Sequence, residues 1–296
     1  MKILITGGTG LIGSNLVPIL SPNEITVLTR NVAMAEQVLG HKIQFLSSLE
    51  HLKNLDEFDV VINLAGEPIV AKKWTPKQKQ VIEQSRWSIT ERLVSLIKNS
   101  NQPPKLFISG SAIGYYGKQN DKIIDEDFSQ PNDEFSHRLC ARWESLALEA
   151  SSDETRVCII RTGIVLSIRG GALTKMLLPF KLGLGGPIGD GNQYMSWIHL
   201  EDMLQGIAHL IKHESCQGIY NFTAPTPVTN LEFSRTLAKS LHRPCVFKVP
   251  AFVLRGLMGE MADLVIYGQR VNPTRLLESG YQFAYPELTT AFECLK

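Results

Sequence analysis

Short apolar runs alternate with longer segments of helical period through the first half of the chain. The runs are KILIT (2–6), ITVLT (25–29), KIQFL (42–46), VVINLA (60–65), KLFISG (105–110) and RVCIIRTGIVL (156–166). Most lack a polar residue at every second position, as expected of strands buried on both faces of a parallel sheet. Helical periods lie between them at about 11–20, 77–99 and 134–150. This βα alternation predicts an α/β fold with a Rossmann-like, doubly wound parallel sheet.

The pattern changes after residue 167. RGGALTKMLLPFKLGLGGPIGDGNQYMSW is rich in glycine and interrupted by proline. A helix is predicted at 200–213 and a short strand at 218–223, and TPVTNLEFSRTLAKSL opens with proline and threonine before an apolar helical period. Residues 1–167 are expected to form the dinucleotide-binding domain, joined by later segments near 196–225. Residues 168–296 are expected to be mainly a smaller α/β substrate or lid domain. No internal repeat is visible.

Composition narrows the class only a little. A chain of 296 residues with 44% hydrophobic and 20% charged positions suits one large domain or two intimate ones. A formal net charge of +1 gives no electrostatic case for nucleic acid or an anionic membrane. There is no apolar run long enough to span a bilayer and no signal-peptide pattern, so a cytoplasmic protein is expected. The five cysteines (140, 158, 216, 245, 294) are scattered without metal-ligand spacing, so no metal site is expected.

The most specific local signal is ITGGTGLIGSNLV (5–17). It follows the first strand and opens a helix, with glycines at both the G-x-G-x-x-G and the G-x-x-G-x-x-G spacing. Such a turn brings backbone close to a pyrophosphate, and the helix N-terminus offers free N–H groups to it. Cofactor contacts are assigned to Gly7, Thr9, Gly10, Leu11, Ile12 and Gly13. An NAD-selective site carries an acid at the end of the second strand. Here that position reads Thr29, Arg30, Asn31. Arg30 suits a ribose 2′-phosphate, and Thr29 or Asn31 can add a hydrogen bond, which favours NADP.

TGGTGLIG, NLAGEPI (63–69), SGSAIGYYG (109–117) and GGPIGDGNQYMSWIHLEDM (185–203) resemble the extended short-chain dehydrogenase/reductase superfamily. More narrowly, they resemble its atypical, epimerase-like branch of NADP(H)-binding epimerase family proteins, with a C-terminal domain of unknown function at about 247–294. The resemblance implies that Leu64, Ala65 and Gly66 lie against the adenosine ribose and pyrophosphate. It also implies that Arg86 faces the cofactor from the following long helix and that the backbone at Val165 meets the nicotinamide.

The superfamily's active centre uses a Ser or Thr after the fifth strand, then a Tyr-x-x-x-Lys pair on a helix. Ser111 matches the first position. In EFSHRLCARWESLA (134–147), Ser136 and Cys140 stand where the Tyr and Lys belong, with Glu144 four residues beyond. Neither can serve as the usual acid/base or cation at neutral pH. Tyr115 and Tyr116 beside Ser111 are the replacement candidates, and His199 is a further titratable one. These readings imply an NADP(H)-dependent oxidoreductase or nucleotide-sugar epimerase-like enzyme acting on a small carbonyl or sugar-derived substrate, anionic if Lys175 and Lys181 face it. The alternative is a non-catalytic NADP(H)-binding sensor or partner-binding protein. A monomer or homodimer is expected.

Overall fold

A computed structural model describes residues 1–295. The first half runs β1 (Lys2–Thr6), α1 (Leu11–Ile19), β2 (Glu24–Leu28), α2 (Val32–Leu39), β3 (Gln44–Leu46), β4 (Val60–Asn63), α3 (Pro76–Lys98) and β5 (Leu106–Ala112). After a 3₁₀ turn at Ile113–Tyr116 come β6 (Ile123–Ile124), α4 (Phe135–Leu148), β7 (Arg156–Thr162), β8 (Ile164–Leu166) and α5 (Ala172–Lys181). The remainder is β9 (Tyr194–Met195), β10 (Trp197–His199), α6 (Leu200–Lys212), β11 (Gly218–Phe222), β12 (Val228–Thr229), α7 (Asn230–Ser240) and α8 (Ala251–Met258). It ends with α9 (Asp263–Ile266), β13 (Arg270–Val271), α10 (Thr274–Glu278) and α11 (Leu288–Cys294).

Seven parallel strands form one sheet in the order β11-β7-β5-β4-β1-β2-β3. The chain moves outward from β1 to β3, then returns to lay β4 on the other side of β1. That reversal leaves a crevice beyond the carboxyl ends of β1 and β4, where sheets of this kind take ligands. The unbroken apolar strands are explained by the two cores. Ile3, Ile5, Val27 and Ile62 pack on one face with Leu16 of α1 and Met203, Leu204 and Ile207 of α6. Leu4, Val61, Phe107 and Ile159 pack on the other with Leu93, Val94, Leu96 and Ile97 of α3. Each such buried side chain contributes roughly 1.5–3 kcal/mol of transfer free energy.

A third core joins Trp197, Phe233, Leu237 and Phe292 in the C-terminal half. Its small sheets pair β8 with β10 and β9 with β12, while β13 pairs with β6 of the first half.

The continuous strand expected at 156–166 is two strands. A Cβ at Gly163 would sit 2.6 Å from Ser196 O and 2.9 Å from Thr223, so the chain passes between two neighbours there. It leaves the large sheet as β7 and re-enters a small one as β8. Helices α2 and α5 lie outside the helical segments expected from the sequence. The first is short and capped by Asn31, and the second begins after Gly171 and contains Pro179. Among the described residues no helix is long and apolar enough to cross a membrane.

Candidate functional site

The glycine turn closes the C-terminal end of β1. Gly7 has φ +69°, and a Cβ there would lie 2.5 Å from Leu64 O. A Cβ on Gly13 would lie 2.4 Å from Gly7 O. These two glycines let the turn, α1 and the end of β4 close on one another. Gly10 differs. It is exposed, and the nearest atom to an added Cβ is Gly7 O at 3.3 Å, so its missing side chain opens space toward solvent. Gly10 is also the N-cap of α1. No side chain caps it and no acid occupies the first turn, which leaves the N-terminal N–H groups and the positive helix end available to an anion. Thr9 is exposed beside it, and Leu11 and Ile12 are half-buried.

The loop after β4 is held from beneath. Thr6 Oγ1 donates to Asn63 Oδ1 (2.6 Å) and accepts from the Ala65 N–H (3.2 Å). Asn63 Nδ2 and Trp143 Nε1 both donate to Thr90 Oγ1, which donates to Arg86 O. Arg86 lies against Gly66, where a Cβ would be 2.8 Å from its Cζ. Its guanidinium donates to Glu67 O (3.1 Å) and Ile82 O (3.0 Å) and faces the Trp143 ring at 5.3 Å. Burial lowers its pKa, opposed by Cys140 and Glu67. Arg86 therefore holds the loop after β4 at the Glu67 backbone oxygen, its other backbone bond going to Ile82 O of its own helix.

Past β2, Arg30 is exposed, and its side chain has no partner among the described residues. Thr29 Oγ1 is shared with the Asn31 backbone. The Asn31 side chain, expected to be free for a cofactor, accepts from the Met34 N–H as the cap of α2. Its chemistry is spent on ending the loop. Val165 lies in β8 opposite Ile198, and its carbonyl is 3.7 Å from a Cβ built on Gly171, a residue that also adjoins Leu11.

At the end of β5, Ser111 Oγ donates to Glu144 Oε1 at 2.6 Å. Arg161 grips the same carboxylate with Nε (2.9 Å) and Nη2 (2.8 Å), and all three side chains are buried. Burial opposes the Arg161 charge, but Glu144 and Tyr116 outweigh it and raise its pKa. Arg161 Nη1 donates to the Tyr116 hydroxyl (3.0 Å), and Asn221 Oδ1 lies 2.7 Å from the same oxygen. Tyr116 is fully buried, and its phenol is pushed up to about 12 by burial, with Arg161 opposing. That places Tyr116 in the core of the network, shut off from a substrate.

Tyr115 is half-buried, its ring 3.5 Å below the Arg161 guanidinium, and its hydroxyl has no partner among the described residues. The His137 ring meets it edge-on at 5.2 Å.

Ser136 and Cys140 do share the α4 face against this turn. A Cβ at Gly114 would lie 3.2 Å from Ser136 Cβ and 3.8 Å from Cys140 Sγ. Ser136 donates to Glu134 (2.8 Å). Cys140 is buried, and its thiol is pushed up to about 11 by burial and by Glu144. His199 is the N-cap of α6, its Nδ1 accepting from the Glu201 N–H at 3.2 Å, while the buried Nε2 has no partner. It lines a cavity of about 480 Å³ whose wall includes Asn15, Tyr285 and Cys294 and not Ser111. Lys175 is exposed and donates to Val70 O, and Lys181 is exposed. No cluster of metal ligands occurs among the described residues.

The Glu144–Arg161 pair escaped sequence reading. Its signals were an arginine inside the apolar run of β7 and a glutamate on the buried face of α4, each of which needs a buried partner.

Comparison with known proteins agrees with this architecture. An epimerase family protein of Staphylococcus aureus (strain MRSA252) is 39% identical over 300 residues, covering 99% of this chain and 98% of that protein. The chloroplastic SDR39U1 homologue of Arabidopsis thaliana is 38% identical over 303 residues, covering 100% and 86%. The crystal structure of human epimerase family protein SDR39U1 (isoform 2) with NADPH is 34% identical, covers 100% of this chain and 99% of that one, and superposes with a TM-score of 0.92. The UDP-glucuronic acid 4-epimerase of Bacillus cereus, at 19% identity and a TM-score of 0.78, shares the fold. The NAD dependent epimerase/dehydratase family matches residues 3–222, and a domain of unknown function, DUF1731, matches 249–295. With that match spanning most of its length, the chain belongs to the NAD dependent epimerase/dehydratase family.

Proposed function

We propose that this protein binds NADP(H) at the glycine turn and uses it as an oxidoreductase or epimerase-like enzyme on a small carbonyl or sugar-derived substrate. The observation that carries the reading is the buried Ser111–Glu144–Arg161 array at the carboxyl end of β5, in a fold whose ligands sit beyond that edge. The residues fit the cofactor. Gly10 and the uncapped start of α1 suit the pyrophosphate, Arg30 suits a 2′-phosphate, and the loop at Leu64, Ala65 and Gly66 supplies close backbone. The NADPH in the human relative supports the same choice.

When bound, NADPH supplies hydride. The chain supplies the proton and the orientation. Glu144 takes the Ser111 proton into its hydrogen bond, so the Ser111 oxygen is oriented by a fixed, ion-paired carboxylate. The hydroxyl of Tyr115 is left to donate a proton to a carbonyl oxygen. With no lysine ammonium in the Tyr-x-x-x-Lys position, such a donor works slowly.

A second reading has its own support. Ser136 and Cys140 replace the usual pair, and the Ser111 proton is already engaged. Both suit a protein that binds NADP(H) as a sensor and does not turn it over. The two are separated by following NADPH absorbance against aldehydes and quinones, and by following nucleotide sugars chromatographically for epimerised product. Turnover should appear with at least one class, and Ser111→Ala and Tyr115→Phe should each lower kcat by on the order of 100-fold. NADPH that binds and is never oxidised, together with nucleotide sugars that emerge unepimerised, supports the sensor instead, since an epimerase returns its cofactor unchanged.

A further inference from the structure

A net charge of +1 conceals an uneven distribution. Residues 172–189 carry Lys175 and Lys181, and residues 241–259 carry Arg243, Lys248 and Arg255, with no Asp or Glu in either stretch. All five cations are exposed. The two stretches are joined in the fold. Gly189 N–H donates to Val249 O and Val249 N–H to Pro187 O, at 2.9 and 2.8 Å. Gly183 sits beside Pro244. Helix α8 follows directly after Pro250, its N-cap.

The same two stretches hold much of the exposed apolar surface. Leu178 and Leu182 are each 65% exposed, Val246 is 73%, Phe252 is 76% and Leu257 is 66%. Helix α8 buries none of its residues. Its sequence AFVLRGLM is therefore an apolar helix without a core to serve. The acids that follow α8 are already paired. Glu260 meets Lys79 at 2.7 Å, and Asp263 meets Lys118 at 2.8 Å and Arg255 at 3.6 Å.

Large protruding aliphatic and aromatic groups beside an excess of cations, with Asp190 the nearby exposed acid that no cation pairs, match an interface that is apolar inside and negative at its surface. Nucleic acid offers the charge without a place for Leu178 or Val246. A protein partner would have to provide acids and apolar pockets together. We propose that α8, the C-terminal end of α5 and the 243–249 segment form a surface that docks on anionic lipid bilayers, with the apolar side chains entering the headgroup region and Lys181, Arg243 and Lys248 facing lipid phosphates. The chain lies on the bilayer without spanning it.

The test is co-sedimentation of the full chain with vesicles of phosphatidylcholine alone and of phosphatidylcholine mixed with phosphatidylglycerol. Binding to the mixed vesicles is expected, with little to the neutral ones, and it should weaken as salt shortens the Debye length from about 8 Å toward 3 Å. Lys181→Glu with Lys248→Glu should reduce partitioning by more than tenfold, since each cation near such a surface contributes about fivefold. Phe252→Ser with Leu257→Ser should do the same by removing the inserted groups. Neither double alters a residue of the glycine turn, and both should keep the native NADPH affinity and melting temperature, which shows that they are folded. The proposal is overturned if the native chain stays in the supernatant with both vesicles, or if neither double changes binding. It is also overturned if sedimentation shows a dimer that the Phe252→Ser, Leu257→Ser variant dissociates while vesicle binding is absent, because a second copy then covers this face.

Discussion

Arg30 is exposed at the rim beyond β2 and no acid stands beside it, so its contribution depends on what binds. A charge-assisted contact is worth about 1.5–3 kcal/mol, and solvent exposure puts this one at the lower end. Arg30→Ala should weaken NADPH binding about tenfold and leave NADH unchanged. Calorimetric titration of both cofactors decides it, and an equal loss for the two would remove Arg30 from the 2′-phosphate. His199 carries a prediction in pH. Burial lowers its pKa, opposed by Asp202 and Glu201, and burial also lowers that of His209. The folded state thus prefers both neutral. Their contribution is complete above the ordinary histidine pKa of about 6.5 and declines as pH falls below it. His199→Asn keeps an N-cap oxygen for the Glu201 N–H and removes one titration. Its melting temperature should fall less steeply than that of the native chain between about pH 7 and pH 5. Parallel curves would contradict this.

The turn between β1 and α1 divides its glycines by task. A Cβ at Gly13 meets the Gly7 carbonyl at 2.4 Å, and neither backbone can withdraw cheaply. Gly13→Ala should therefore lower stability by about 2 kcal/mol or more, as overpacking does. Gly10→Val projects its side chain into the space before the free N–H groups, where the pyrophosphate is proposed to lie. It should cost about 1 kcal/mol of cap preference and abolish NADPH binding while circular dichroism stays native. A Gly10→Val protein that binds as before would separate this turn from the phosphates. The start of α2 divides its residues in a similar way. Its cap consumes Asn31, and the next residue back, Arg30, is left pointing into solvent.

Glu144 and Arg161 join α4 to β7 in the interior, beneath Ser111. Arg161→Met strands a buried carboxylate and should destabilise the whole molecule by about 3–5 kcal/mol. The double change Glu144→Leu, Arg161→Met strands no charge, although Ser111 loses its acceptor and Tyr116 its arginine donor, and should cost clearly less than the sum of the two single changes. Urea unfolding of the four proteins measures this coupling. Simple additivity would show that the pair is not a unit. The double variant also separates fold from function, since Ser111 then keeps its place without its acceptor.

The doubly wound sheet was legible because its signal is periodic and local. Strands buried on both faces must be apolar throughout, and the helices between them carry their own period. The placement of a glycine turn after the first strand was legible for the same reason, since spacing within a few residues expresses it. The division of 156–166 was not, because Gly163 turns where Ser196 and Thr223 press on it, and both are distant in sequence. Nor was the pairing of Ser111, Glu144 and Arg161, which span strands and a helix from separate βα units. Tyr115 and Tyr116 are adjacent and alike in the sequence, yet one is half-buried and the other is enclosed by Arg161 and Asn221. Local composition determines which elements form and how their backbones turn. Which polar groups are buried together, and which charges collect on one surface, depends on contacts between distant segments, and these exist only once the chain is packed.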